Sequence, residues 1–206
     1  MTPQTSLRFR TWGGARKGAG RKPRGKSAGV SHLARERFAR RLPVHVTIRM
    51  ARHVVSLRSQ RCFAAFVRVL GVAAERFDVT IVQFSLQGNH AHFVVEAAGD
   101  AALSRAMQGF GVRVARALNR VMKRRGRVLA DRYHAHVLRT PREVRRAVAY
   151  VRDNARKHAP RAALARPDRQ VALVDPFSST GGDVVLPPPR TWLMRVGWRR
   201  APRPRA

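Results

Sequence analysis

One cysteine, Cys62, is present in 206 residues. A lone thiol excludes an internal disulfide framework and any cysteine-rich zinc module. Acidic residues are scarce: 11 Asp and Glu stand against 43 Lys and Arg, a formal charge of +32. No apolar run reaches the roughly 18 residues of a membrane-spanning helix. The first 30 residues are basic and Gly-rich, without the apolar stretch of a secretory signal. The expectation is a cytoplasmic protein that enters no membrane. What is present is a polycation whose 44% hydrophobic residues suffice for one core of ordinary size. Such a chain seeks a polyanion, and nucleic acid is the commonest in a cell. Coating RNA or anionic membrane without any chemistry is the plainer alternative. Either way, binding falls steeply with salt.

The charge is uneven along the chain. Residues 1–42 hold 12 basic residues and 1 acidic one, several glycines and few large apolar residues. They read as a flexible basic arm. Within it Arg21, Lys22 and Arg24 flank Pro23 between two glycines. Such a strip either enters a narrow A·T minor groove or lies on phosphates non-specifically. Residues 43–158 carry the periodic patterns of a folded domain. Residues 159–206 read as a loop-rich tail with a basic end, in which Trp192 and Trp198 mark a piece expected to dock on the domain.

Period-2 alternation predicts strands at 44–50, 79–86, 90–96 and 133–138. Helical spacing predicts helices over 57–77 and from Leu103 to Val121. Gln87-Gly88-Asn89 is a tight-turn signal. Thr140, Pro141 and Glu143 supply an N-cap, a first-turn proline and a capping-box acid for a last helix. The order βαββαβ, then a helix, is that of a ferredoxin-like α+β domain with an added C-terminal helix. Val44, Val46, Ile48 and Met50 point one way from the first strand, and Ala91, Phe93 and Val95 do so from the third. Two helices should cover that face, leaving an open one bearing His45, His90, His92, His134 and His136.

His90 and His92 lie on one side of a strand, so two imidazoles can chelate one divalent cation or simply pack on the sheet. Tyr150 and Asn154 share a helix flank with Lys157. The phenol is either a nucleophile toward phosphorus, with Asn154 as an oxygen ligand, or a boundary packing residue. A phenol of pKa about 10 needs help to attack at neutral pH.

Taken together, Gln87-Gly88-Asn89-His90-Ala91-His92-Phe93-Val94-Val95 resembles the His-hydrophobic-His motif of HUH endonucleases. Tyr150-Val151-Arg152-Asp153-Asn154 resembles the Tyr-x-x-x-Asn/Gln helix of their single-tyrosine transposases. With Arg132-Tyr133-His134-Ala135-His136-Val137-Leu138-Arg139-Thr140 leading into that helix, the chain is most similar to REP-associated tyrosine transposases over about residues 43–158. Asn154-Ala155 departs from the Asn-Pro common in relatives.

The resemblance implies that His90, His92 and Asn154 hold Mg²⁺ or Mn²⁺. It implies that Tyr150 attacks single-stranded or hairpin DNA, making a 5′-phosphotyrosine link that a 3′-OH later resolves. It gives Arg113, Arg116, Arg120, Lys123 and Arg124 as backbone contacts, although these also read as the solvated face of a helix. His134 and His136 are a second pair: they steady DNA, form an outer shell with Lys157, or bind zinc. Relatives act as exchanged dimers or as monomers, so both states stay open. A non-catalytic module binding single-stranded nucleic acid on its sheet, and a zinc hydrolase, are the competing readings.

Overall fold

The structure, a computed structural model, describes residues 34–73, 78–158, 175–181 and 184–202. Arg21, Lys22 and Arg24 lie outside the described residues, as does Phe77 at the expected end of the first helix. Strands β1 (Leu42–Arg49), β2 (Val79–Leu86), β3 (His90–Ala97) and β4 (His134–Val137) alternate with helices α1 (Gln60–Ala73), α2 (Asp100–Val121) and α3 (Pro141–His158). The sheet is antiparallel in the order β2-β3-β1-β4. The domain is ferredoxin-like α+β, as the alternation of periods predicts.

The apolar side of each strand builds the main core. Val44, Val46, Ile48, Phe93 and Val95 meet Phe66 and Leu70 of α1 and Phe110, Val114 and Leu118 of α2, all buried. Phe66, Phe93 and Phe110 form a ring cluster with centroids 5.5–6.1 Å apart. Burying three phenyl groups stabilises the fold by several kcal/mol (about 1.5–3 kcal/mol each). It also fixes β3, whose alternate residues face the opposite side. The turn at Gln87 is closed by a 2.8 Å bond from Gln87 N–H to His90 C=O.

The opposite face is covered, not open. Helix α3 lays Val144, Ala147, Val148 and Val151 over Val94 and Leu138, and the tail adds Met194, with Leu193 and Trp198 packed alongside. The amphipathic stripe of α3 needs an apolar wall, and a face rich in histidine offers little of one. The capping box forms as read: Glu143 N–H donates to Thr140 Oγ1 at 3.2 Å, while Glu143 Oε2 accepts from Thr140 N–H at 3.0 Å. Burial pushes the Glu143 carboxyl up, but N–H donors from Arg139 and Thr140 outweigh it and hold the pKa below the ordinary value.

Two parts of the tail are structured against the domain. Residues 175–181 lie along the outer edge of β2, where Leu86 N–H donates to Phe177 C=O and Ser179 N–H to Phe84 C=O. There the buried Asp175 takes a two-pronged ion pair from Arg58 at 2.8 and 3.0 Å. A π-helical turn (Leu193–Gly197) followed by a helical turn (Trp198–Arg200) docks beside α3. Within this docked segment Trp192 itself is 56% exposed. Its ring lies over Gly197, where an added Cβ would meet it at 2.6 Å, so it packs on its own segment and not on the sheet. Among the described residues no helix is long and apolar enough to cross a membrane.

Candidate active site

The site lies between the histidine-bearing face and α3. Register sets its rows: Thr47 pairs with His92 on one side and His134 on the other, His45 pairs with Val94 and His136, and Arg49 pairs with His90. Period-2 alternation puts all these side chains on one face. The His90 and His92 rings are 4.9 Å apart, centroid to centroid, and nearly perpendicular. Asn89 Oδ1 accepts from His90 Nδ1 at 2.8 Å, and Thr47 Oγ1 shares a 3.1 Å hydrogen bond with His92 Nδ1. Both rings are thus held by Nδ1, which leaves Nε2 as the atom that would meet a metal. This is how ligating imidazoles are usually oriented.

Helix α3 brings Tyr150 to these rings. The phenol ring stands edge-on to His92 at 5.1 Å and to His45 at 5.7 Å. Asn154, one turn on, is completely buried, and neither Oδ1 nor Nδ2 has a hydrogen-bond partner among the described residues. A buried amide left unsatisfied costs about 1–3 kcal/mol, so folding alone does not favour it. Two oriented imidazoles and an unsatisfied amide oxygen are a donor set that can hold a divalent cation. Among the described residues no three His, Cys, Asp or Glu side chains gather into a metal-holding group.

His45, by alternation one more histidine of this face, also belongs to the site. It stacks on His92 at 5.4 Å, and its Nε2 is buried without a partner. Burial, then the nearby His134 and His136, lower its pKa from 6.5 to about 4. A base whose folded pKa is depressed loses stability as pH falls. The loss begins near the unfolded value of 6.5 and is complete below about 4, amounting to about 3 kcal/mol. Urea midpoints at pH 7.5 and 4.5 should therefore converge in His45→Gln relative to the native chain. Equal pH slopes in the two proteins would exclude His45 as the source.

His134 and His136 are exposed on the edge strand. A cleft of about 440 Å³ runs between His136 and α3, lined by His45, His136, Glu143, Arg146 and Tyr150. Lys157 lies in the last turn of α3. Tyr133, the other tyrosine, packs with the main core on the α1/α2 side of the sheet, under the Arg35 guanidinium at 3.7 Å. Arg113, Arg116 and Arg120 sit on α2, in the layer across the sheet from Tyr150, with Lys123 and Arg124 just beyond its end. A strand touching both sets must pass round a sheet edge. Thr47, Asn89, His45 and Arg146 are the site residues that local pattern did not single out. Cross-strand register would have found Thr47 and His45.

The family model "Transposase IS200 like" matches residues 39–154, more than half of the chain. The matched span closes on Asn154. No curated protein matches the chain. Among solved structures the fold is similar to a REP-associated tyrosine transposase bound to a REP hairpin, at 14% identity and TM-score 0.52, covering 63% of this chain and 75% of that one. A protein from Deinococcus radiodurans R1 described as a transposase aligns at 10% identity and TM-score 0.42, over 61% of this chain and 95% of that one. The sheet, the helix laid over its histidine face and the family match converge: the chain belongs to the IS200-like transposases, enzymes that nick and transfer DNA strands.

Proposed function

We propose that the protein is a metal-dependent strand transferase acting on single-stranded or hairpin DNA through a 5′-phosphotyrosine intermediate. The observation that carries this reading is the edge-on contact of Tyr150 with His92, whose ring stands against His90, with the buried and unsatisfied Asn154 one helical turn from Tyr150. His90, His92 and Asn154 would hold Mg²⁺ or Mn²⁺, whose charge favours attack at a phosphoryl group. The Tyr150 phenolic oxygen forms a bond to phosphorus, and the bond from phosphorus to the 3′ oxygen breaks. That oxygen leaves as a 3′-OH after taking up a proton. Attack of a 3′-OH on the phosphotyrosine reverses the exchange and frees the phenol. The phosphodiester energy is kept in the link, so no nucleotide is consumed. The cleft beside Tyr150, with Arg146 and His136 on its walls, offers a path for the strand.

The REP hairpin bound by the structural neighbour supports a hairpin as the first substrate to try. The reading of the sheet as a base-stacking platform has less to rest on, because α3 and the tail occupy the face it would need. Single-stranded and hairpin oligonucleotides incubated with the full chain and Mn²⁺ should give a covalent band on a denaturing gel. Chelation with EDTA should remove the band, and excess Mn²⁺ should restore it. An undiminished band in EDTA would contradict metal dependence.

A further inference from the structure

Glu96 takes no part in the chemistry above, yet it is fully buried. It sits on the same strand and face as His92, two pairs along, at the far end of β3. Among the described residues no arginine or lysine forms an ion pair with it. Instead its carboxylate accepts hydrogen bonds from Arg190 N–H at 2.5 Å, Thr191 N–H at 2.7 Å and Thr191 Oγ1–H at 2.5 Å. Bonds of this kind to an ionised acceptor are about twice as strong as neutral ones. A buried carboxylate is otherwise costly, so its presence here calls for a use.

What it grips is the start of the C-terminal helical segment. Thr191 in turn opens that segment, its Oγ1 accepting from Met194 N–H and its C=O from Arg195 N–H. The segment then meets α3. Met194 is buried among Val144, Val148 and Val151. Arg145, on α3, donates to Trp198 C=O at 2.9 Å and to Arg199 C=O at 2.7 Å, closing the last carbonyls of the segment. Trp198 and Leu193 pack against the same small cluster as Tyr150. The sheet side supplies Val82, Val94 and Leu138 to this cluster, and the tail supplies Met194, Leu193 and Trp198. The tail is therefore half of the wall that seats α3.

We propose that Glu96 is a positioning residue for Tyr150: by anchoring Arg190 and Thr191 to β3 it holds the tail segment against α3, which sets the phenol at the histidine pair of its own chain. This rests on Tyr150 being the nucleophile. Loosening the anchor leaves His90 and His92 in place on β3 but lets α3 shift, taking Tyr150 and Asn154 with it, so the chemical step slows by more than binding weakens.

The test measures single-turnover adduct formation and oligonucleotide affinity in the full chain with Mn²⁺ and a hairpin oligonucleotide. Glu96→Gln and Thr191→Val should each slow adduct formation by about tenfold to a hundredfold, the scale of a misplacement near 1 Å. Their Kd for the oligonucleotide should change far less than the rate. Thr191→Ser, which keeps the hydroxyl, should retain the native rate. Thr191→Val preserves shape, so it carries the test if Glu96→Gln does not fold. Native rates in folded Glu96→Gln and Thr191→Val would overturn the proposal, as would weakened binding that accounts for the whole loss. Tyr150→Phe with the native tail separates the two ideas. An undiminished adduct in that variant defeats the nucleophile assignment, whatever the tail variants do.

Discussion

Tyr150→Phe should abolish the covalent DNA adduct, by a factor on the order of 10⁴ or more, while leaving oligonucleotide affinity and thermal stability close to native. The argument is geometric. The phenol ring packs edge-on to His92 and His45, and phenylalanine keeps both contacts. Only the hydroxyl oxygen is removed, and in the proposed step that oxygen forms the bond to phosphorus. Tyr133 cannot replace it, because it lies on the other side of the sheet beneath Arg35. Gel-based adduct yield and a binding titration on the same preparation decide the matter. Parallel loss of binding would place Tyr150 in recognition instead of catalysis.

Asn154→Leu should move stability and activity in opposite directions. Leucine reproduces the branched outline of asparagine without its polar atoms. The buried amide has no partner for either atom among the described residues, so replacing it removes a desolvation penalty of about 1–3 kcal/mol. The denaturation midpoint should rise accordingly. The same change deletes the oxygen offered to the cation, so the adduct yield should fall by about 10²-fold or more, and raising Mn²⁺ should recover only part of it. Asparagine kept for packing would give the reverse pattern: a destabilised protein with native activity.

Much of this was legible in the chain because it depends on local periodicity. Alternation around His90 and His92 fixes their common side, and four-residue spacing fixes that of Tyr150 and Asn154. Thr140 and Glu143 announce the start of α3 through hydrogen bonds three residues long. Features that local pattern does not carry are those made by distant partners. Thr47 and His45 join the site through strand pairing with β3. Glu96 reads as one more polar residue on an alternating strand, and its partners lie 94 and 95 residues away. The histidine face reads as open for the same reason, since its cover comes partly from a tail that looks like loop. Within that tail, Trp192 rests on Gly197 instead of the sheet.

The most direct measurement is the identity of the residue that carries the DNA. The chain holds two tyrosines, and tryptic cleavage after its many arginines separates them into peptides 133–139 and 147–152. Mass spectrometry of the adduct formed by the native chain with Mn²⁺ and a hairpin oligonucleotide should find the 5′-phosphoryl fragment on the peptide ending at Arg152. A nucleotide on the Tyr133 peptide, or cleaved DNA with neither peptide modified, would contradict the account.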